Sequence, residues 1–269
     1  MSEPQVSDQT STATPPTLLE AVDVSKRFGG ITALDAVSVS VGEGAAVGLV
    51  GPNGAGKTTL FNCLLGLLRP DSGRIRFDGR NLIGLPVYRR ARLGLGRTFQ
   101  RMELFSEMTV REHLLVAERA RRGTGRLWKD LLNRGAPTAE EEAEADVVLD
   151  LVGLTPVADR AIESLTLGHG RLVELGRALM TRPRLLLLDE PSSGLDQAES
   201  LALAGVLDTV RRERGTAVLL VEHDLAMVER VVERLYVLDF GRLLASGDRD
   251  EVLADESVRN AYFGEGVGA

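Results

Sequence analysis

Residues 51–58 read Gly-Pro-Asn-Gly-Ala-Gly-Lys-Thr, and the chain on either side of them leaves few folds open. Upstream, Ala45-Ala-Val-Gly-Leu-Val-Gly51 is a continuous apolar run ending in glycine, as expected of a central strand buried on both faces. Downstream, residues 57–68 (KTTLFNCLLGLL) space their leucines as a helix, which Arg69-Pro-Asp-Ser-Gly73 stops. Strand, glycine-rich turn and helix together give GxxxxGK[ST] its meaning, a loop that cradles phosphate. Gly51, Pro52, Asn53, Gly54, Ala55 and Gly56 supply a flexible backbone to curl around the ligand, and the helix N-terminus adds its dipole. Lys57 would neutralise β/γ-phosphate charge, and the Thr58 hydroxyl would ligate Mg²⁺ with Thr59 beside it. Lysine is scarce here, three of 32 basic residues (Lys26, Lys57, Lys129), which makes its position at 57 worth weight.

The rest of the chain fits an α/β architecture. Residues 1–17 are polar, lack a basic start and an apolar stretch, and read as a flexible tail rather than a signal peptide. From Leu18 to Val41 apolar and polar residues alternate with period two, which predicts antiparallel strands. Residues 101–168 change texture to Arg, Glu and Leu with few β-branched runs, predicting a helical subdomain inserted in the α/β core. Within it, Thr109/Glu112 and Thr138/Glu141 have capping-box spacing, and Ala143, Val147 and Leu151 would form an apolar face. His113 and Trp128 have no motif around them and read as packing or surface residues, while Cys63 among leucines reads as core. Beyond 168 the α/β pattern resumes with a helix near 169–181, strands at 185–189 and 217–222, helices near 197–213 and 225–232, and a closing hairpin.

Leu185-Leu-Leu-Leu-Asp189-Glu190 supplies the second half of a nucleotide site. Asp189 would emerge at the C-terminal end of a buried strand, where α/β ligands bind, and hold Mg²⁺. Glu190 would activate the attacking water. With these residues in place, the chain resembles the ATPase subunits of ABC transporters over roughly residues 18–250. The resemblance implies a P-loop ABC ATPase fold with an antiparallel β subdomain and an inserted helical subdomain, the whole of 18–269 forming one domain. It implies Gln100 as the glutamine that contacts Mg²⁺ and water and faces the membrane partner, and His223 as the switch histidine near the γ-phosphate. Leu165-Thr-Leu-Gly-His169 stands at the signature, Ser193-Gly-Leu-Asp196 at the loop that communicates across the dimer, and Phe28 at the adenine-stacking aromatic. The signature is altered: Thr166 keeps the hydroxyl and Gly168 the close backbone approach, but Leu167 replaces a glycine and His169 a glutamine.

In that family two subunits close head to tail around two ATP molecules. The implied partners are therefore a second homologous ATPase or another copy of this chain, two membrane permeases, and indirectly an external solute-binding protein. Arg97-Thr-Phe-Gln100, the following MELFSEMTVREHLLVA, the long insert and Ala261-Tyr-Phe-Gly-Glu265 resemble the ATPases of branched-chain amino-acid importers. Export of lipopolysaccharide, import of urea or amides, and a soluble regulatory ATPase stay open as alternatives. The net charge of −7 argues against a nucleic-acid partner, whose phosphates demand basic surface. A lone cysteine fits a reducing compartment, and no apolar run approaches the roughly 18 residues that span a bilayer. The expected location is the cytoplasmic face of the cell membrane, reached through partners.

Overall fold

The computed structural model describes residues 16–98, 104–122 and 137–263. Strands β1 (Thr17–Phe28) and β2 (Ile31–Gly42) form the expected antiparallel pair, joined by Gly29-Gly30, and begin one residue earlier than the alternation predicts, with Thr17 opposite Gly42. β3 (Ala46–Val50) then leads through the 51–56 loop into α1 (Lys57–Leu65). That helix stops short of residue 68 because Gly66, at φ +84°, turns the chain so that the N–H groups of Gly66, Leu67 and Leu68 all reach the Asn62 carbonyl. β4 (Ser72–Phe77) and β5 (Arg80–Asn81) complete a four-stranded antiparallel sheet of order β2-β1-β4-β5.

After α2 (Val87–Arg92) and β6 (Leu95–Arg97) come the helices α3 (Val110–Arg122), α4 (Ala139–Leu151) and α5 (Leu167–Met180). Both capping boxes form: Glu112 N–H donates to Thr109 Oγ1 at 3.2 Å while Thr109 N–H donates to the Glu112 carboxylate at 2.8 Å, and Thr138 and Glu141 repeat the exchange. The predicted face of α4 is wrong. Ala143 and Val147 are exposed, and the buried stripe is Glu141, Ala145, Val148 and Leu149, continued by Val152. An i, i+4, i+8 series drifts off one face; the stripe that packs adds the i+7 position.

The chain then forms β7 (Leu185–Asp189), α6 (Gln197–Arg214), β8 (Ala217–Val221), α7 (Leu225–Val231), the hairpin β9 (Arg234–Asp239) and β10 (Arg242–Asp248), α8 (Arg249–Ala254) and α9 (Glu256–Phe263). A six-stranded sheet of order β10-β9-β3-β8-β7-β6 results, parallel except for the β9–β10 hairpin. Its central strands separate two apolar cores. Leu185 and Leu187 join Val47, Leu49 and Leu219 in the core shared with α1 and the antiparallel sheet. Leu186 and Leu188 join Leu114, Val148 and Leu207 in the core shared with the helices. A run of four leucines is therefore a two-faced strand, which explains why it lacks alternation. Gly176 on α5 is where α3 and α4 close in, since a Cβ there would sit 3.4 Å from Leu114 and 3.5 Å from Val148.

Candidate functional site

The C-terminal ends of β3, β7 and β8, neighbours in the parallel sheet, converge on one edge of it. At the end of β3, Gly51 has φ +145° and a Cβ would lie 2.1 Å from the Leu238 carbonyl oxygen. Gly56 has φ +102°, and a Cβ would lie 2.6 Å from the Ala33 carbonyl oxygen. Both positions exclude any side chain, on conformation and on space. Gly241 N–H donates to Ala55 and Asp35 N–H to Gly241, so the β9–β10 turn and β2 brace the loop from outside. Pro52 is half-buried, Asn53 and Gly54 are exposed, and Ala55 is buried.

Lys57 is buried, with Nζ donating to the Gly51 carbonyl at 2.6 Å and the Pro52 carbonyl at 3.0 Å. Burial pulls its pKa down, opposed by the nearby carboxylates of Glu190 and Asp189. The loop thus folds around its own ammonium, which retains donor capacity for a third oxygen. No side chain caps α1, so its first N–H groups face the loop with the positive end of the helix dipole. Thr58 is exposed beside that end and Thr59 half-buried.

Asp189, last residue of β7, is buried, and burial together with the Glu190 charge pushes its carboxyl up to about 6, against the pull of Lys57. Such a carboxyl is poised to gain from a cation. Glu190 holds φ +48°, the left-handed region that glycine favours, and its N–H donates to the Val221 carbonyl at 2.9 Å. A non-glycine residue there costs about 1–2 kcal/mol, a strain typical of functional sites. From the end of β8, the His223 side chain is 61% exposed, with Nδ1 3.8 Å from the buried Glu222 carboxylate. Phe28, at the end of β1, is 46% exposed, with Lys26 Nζ 5.5 Å from its ring centroid. One ring face is thus available for stacking rather than spent in the core.

A second cluster forms around the start of α5. Thr166 caps that helix, its Oγ accepting the His169 N–H at 3.3 Å and lying 3.0 Å from His169 Nδ1. This cap starts the helix at Leu167, two residues before the predicted start. Gly168 packs so closely on α6 that a Cβ would meet the Glu199 carboxylate at 2.6 Å. Glu199 in turn closes a capping box with Asp196, so Thr166, Gly168 and Asp196 lie together. Gln100 and Trp128 lie outside the described residues. Three residues that the sequence reading passed over brace the site: Ser192 and Glu222 bond to each other between the loops after β7 and β8, and Arg90 holds the end of α1. Glu222 carried a signal, a carboxylate ending an otherwise apolar strand; nothing local marks the other two.

A family model described as ABC transporter matches residues 34–193, more than half the chain. The chain belongs to the ABC transporter ATPase family. It therefore binds nucleotide and hydrolyses ATP. The branched-chain amino-acid transport ATP-binding protein BraF of Pseudomonas aeruginosa is 40% identical over 250 residues, spanning 92% of this chain and 98% of that one. LivG of Salmonella typhimurium, of the same description, is 41% identical over 251 residues with the same coverage. The lipopolysaccharide export ATP-binding protein LptB of Haemophilus influenzae is 34% identical over 248 residues, again spanning 92% and 98%. Among solved structures, a nucleotide-free ATP-binding cassette superposes with a TM-score of 0.79 at 32% identity, covering 94% of this chain and 100% of that one. An ABC transporter cassette in its ADP conformation gives 0.80 at 32% identity, covering 92% and 99%. Among the described residues no helix is long and apolar enough to cross a membrane.

Proposed function

We propose that this chain is the ATP-hydrolysing subunit of an importer for branched-chain or other hydrophobic amino acids. The observation that carries the solute class is 40–41% identity to BraF and LivG over 92% of the chain, against 34% to LptB. The chain acts as one ABC ATPase domain in which 101–168 is the helical insert. Gly51–Gly56 and the N-terminus of α1 take the phosphates, Lys57 neutralises the β/γ charge, and Phe28 carries the adenine. Mg²⁺ bound with the nucleotide supplies further charge neutralisation. The exposed Thr58 hydroxyl and the buried Asp189 carboxyl, whose charge burial and Glu190 disfavour, fit that cation, with Gln100 as the third residue to hold it. Glu190 accepts the proton of the attacking water and His223 approaches the γ-phosphate.

Thr166, Gly168 and Asp196, grouped on α5 and α6, serve the nucleotide of an opposing subunit, a second homologous ATPase or another copy of this chain. The γ-phosphate then holds two subunits together, and hydrolysis releases them. Two permeases receive that motion at a cavity of about 370 Å³ lined by Tyr88, Ala91, Arg92, Arg97, Ala117 and Arg177, next to the segment that leads to Gln100. A solute-binding protein delivers substrate on the other side of the membrane, and this chain sits peripherally on the cytoplasmic face. The test is to express tagged Glu190→Gln in the native host, extract membranes in mild detergent with ATP, and identify what co-purifies. Two polytopic membrane proteins and an ATPase homologue support the importer. Recovery of this chain alone, or of cytosolic partners only, overturns it.

A further inference from the structure

Glu222 is fully buried, yet it follows the last residue of β8, an apolar strand, and stands outside the groups that touch nucleotide. Its two carboxylate oxygens face in different directions. Oε1 accepts the Ser192 N–H at 2.9 Å and the Ser192 hydroxyl at 2.6 Å. Oε2 accepts the His223 N–H at 2.9 Å and the Asp224 N–H at 3.2 Å. Ser192 belongs to the turn that follows β7, closed by Ser193 N–H on the Glu190 carbonyl, so one oxygen grips the loop carrying Glu190. The other oxygen grips the loop carrying His223. The bridge continues: Asp224 caps α7 and accepts the Ser200 hydroxyl at 2.8 Å, and Ser200 lies on α6, the helix that Asp196 caps.

A buried carboxylate satisfied by backbone and hydroxyl donors is costly to assemble and rigid once assembled. Here it spans two loops whose side chains must address one phosphate from two directions, and a misplacement of about 1 Å at such a site costs on the order of a hundredfold in rate. We propose that Glu222 is a positioning residue for ATP hydrolysis, fixing the Glu190 loop and the His223 loop in a single geometry so that the two side chains reach the γ-phosphate together. The inference rests on the roles given above to Glu190 and His223. Glutamine cannot replace Glu222, although it is isosteric. Both oxygens face N–H donors, so either orientation of the amide sets an NH₂ group against one of them. Glu222 itself touches no nucleotide, so its loss should spare binding and strike turnover.

The experiment measures ATP affinity, kcat and KM for the full-length chain as wild type, Glu222→Gln, His223→Ala and the double variant, together with Ser192→Ala. For Glu222→Gln the expected result is nucleotide affinity within about twofold of wild type and kcat lowered by roughly tenfold or more. Because part of the effect of Glu222 runs through His223 and part through Glu190, its loss and that of His223 should not multiply; the double variant should fall below His223→Ala but by clearly less than the product of the two single losses. Ser192→Ala, which removes one hydroxyl and leaves the backbone bridge, should lower kcat by about threefold with affinity unchanged. The inference is overturned if Glu222→Gln keeps kcat within twofold of wild type, or if the two losses multiply. Should Glu222→Gln fail to fold, Ser192→Ala decides: an unchanged kcat overturns the proposal. A wild-type chain that binds ATP without hydrolysing it, alone and with its partner subunits, would instead remove the roles assigned to Glu190 and His223.

Discussion

Replacing Arg90 by methionine should cost the fold more than any surface arginine does, and the amount can be worked from four contacts. Arg90 is 3% exposed on α2, and its guanidinium donates to the carbonyls of Cys63 at 2.9 Å, Leu64 at 2.7 Å, Leu82 at 2.7 Å and Leu85 at 3.0 Å. Two of these cap the C-terminal end of α1, where a cation also meets the negative end of the helix dipole. Gly66 leaves the space, since a Cβ there would stand 2.6 Å from Arg90 Nε. Methionine keeps the apolar stem and removes every donor. The Cys63 and Leu82 carbonyls retain N–H bonds from Gly66 and Leu85, so the penalty concentrates on Leu64 and Leu85. At about 1–3 kcal/mol for each of these two buried acceptors left unmet, the loss is roughly 2–6 kcal/mol. For a chain of this size, at about 2–4 °C per kcal/mol, that is a drop of roughly 4–24 °C in Tm. Urea titration followed by far-UV circular dichroism reads it directly, and Arg90→Lys, with one ammonium for four acceptors, should recover about half. An Arg90→Met protein within 0.5 kcal/mol of wild type would refute the claim that this guanidinium secures the phosphate-loop helix.

Gly51→Ala should abolish ATP binding while Gly54→Ala weakens it less. A Cβ at 51 collides with the Leu238 carbonyl at 2.1 Å, whereas at 54 nothing lies within 4 Å and only the positive φ resists; equilibrium titration with a fluorescent ATP analogue compares them. His113 should shape the acid limb of stability. Its Nε2 accepts the Phe105 N–H at 2.9 Å and its Nδ1 donates to the Thr109 carbonyl at 2.8 Å, so the neutral ring fits the site. Burial lowers its pKa from 6.5, with Thr109 opposing, so the unfolded chain takes up the proton first. The stability His113 contributes is complete above about pH 6.5 and is lost as pH falls toward its folded value. His113→Gln should flatten that limb in urea midpoints measured from pH 7.5 to 5; an unchanged slope would contradict the assignment.

What the sequence made legible was whatever it wrote in one place. The strand–loop–helix around Lys57 and the four leucines before Asp189 are contiguous, and their partners lie on adjacent parallel strands that the α/β alternation already implies. Both capping boxes were readable for the same reason, a three-residue spacing with a local hydrogen-bond exchange. The end of α1 was not, because Gly66 terminates it through a left-handed turn that the leucine spacing of 57–68 conceals. On α4 the period was recognised and its phase missed, since Val147 and Val148 are equally apolar and only the arrival of α5 decides which one is buried. Ser192 and Glu222 meet across 30 residues, and Arg90 reaches back 27 to Cys63, distances at which a motif carries no information. The strained φ of Glu190 likewise has no sequence signature, although the residue itself was identified.

The most direct measurement compares wild type and Glu190→Gln for ATP binding and for phosphate release, with Lys57→Ala as the loss-of-binding control. Retained ATP affinity in Glu190→Gln, together with hydrolysis lowered by roughly a hundredfold or more, is the expected result for a carboxylate that handles the attacking water without holding the nucleotide. Hydrolysis by Glu190→Gln at the wild-type rate, or unchanged ATP affinity in Lys57→Ala, would contradict it.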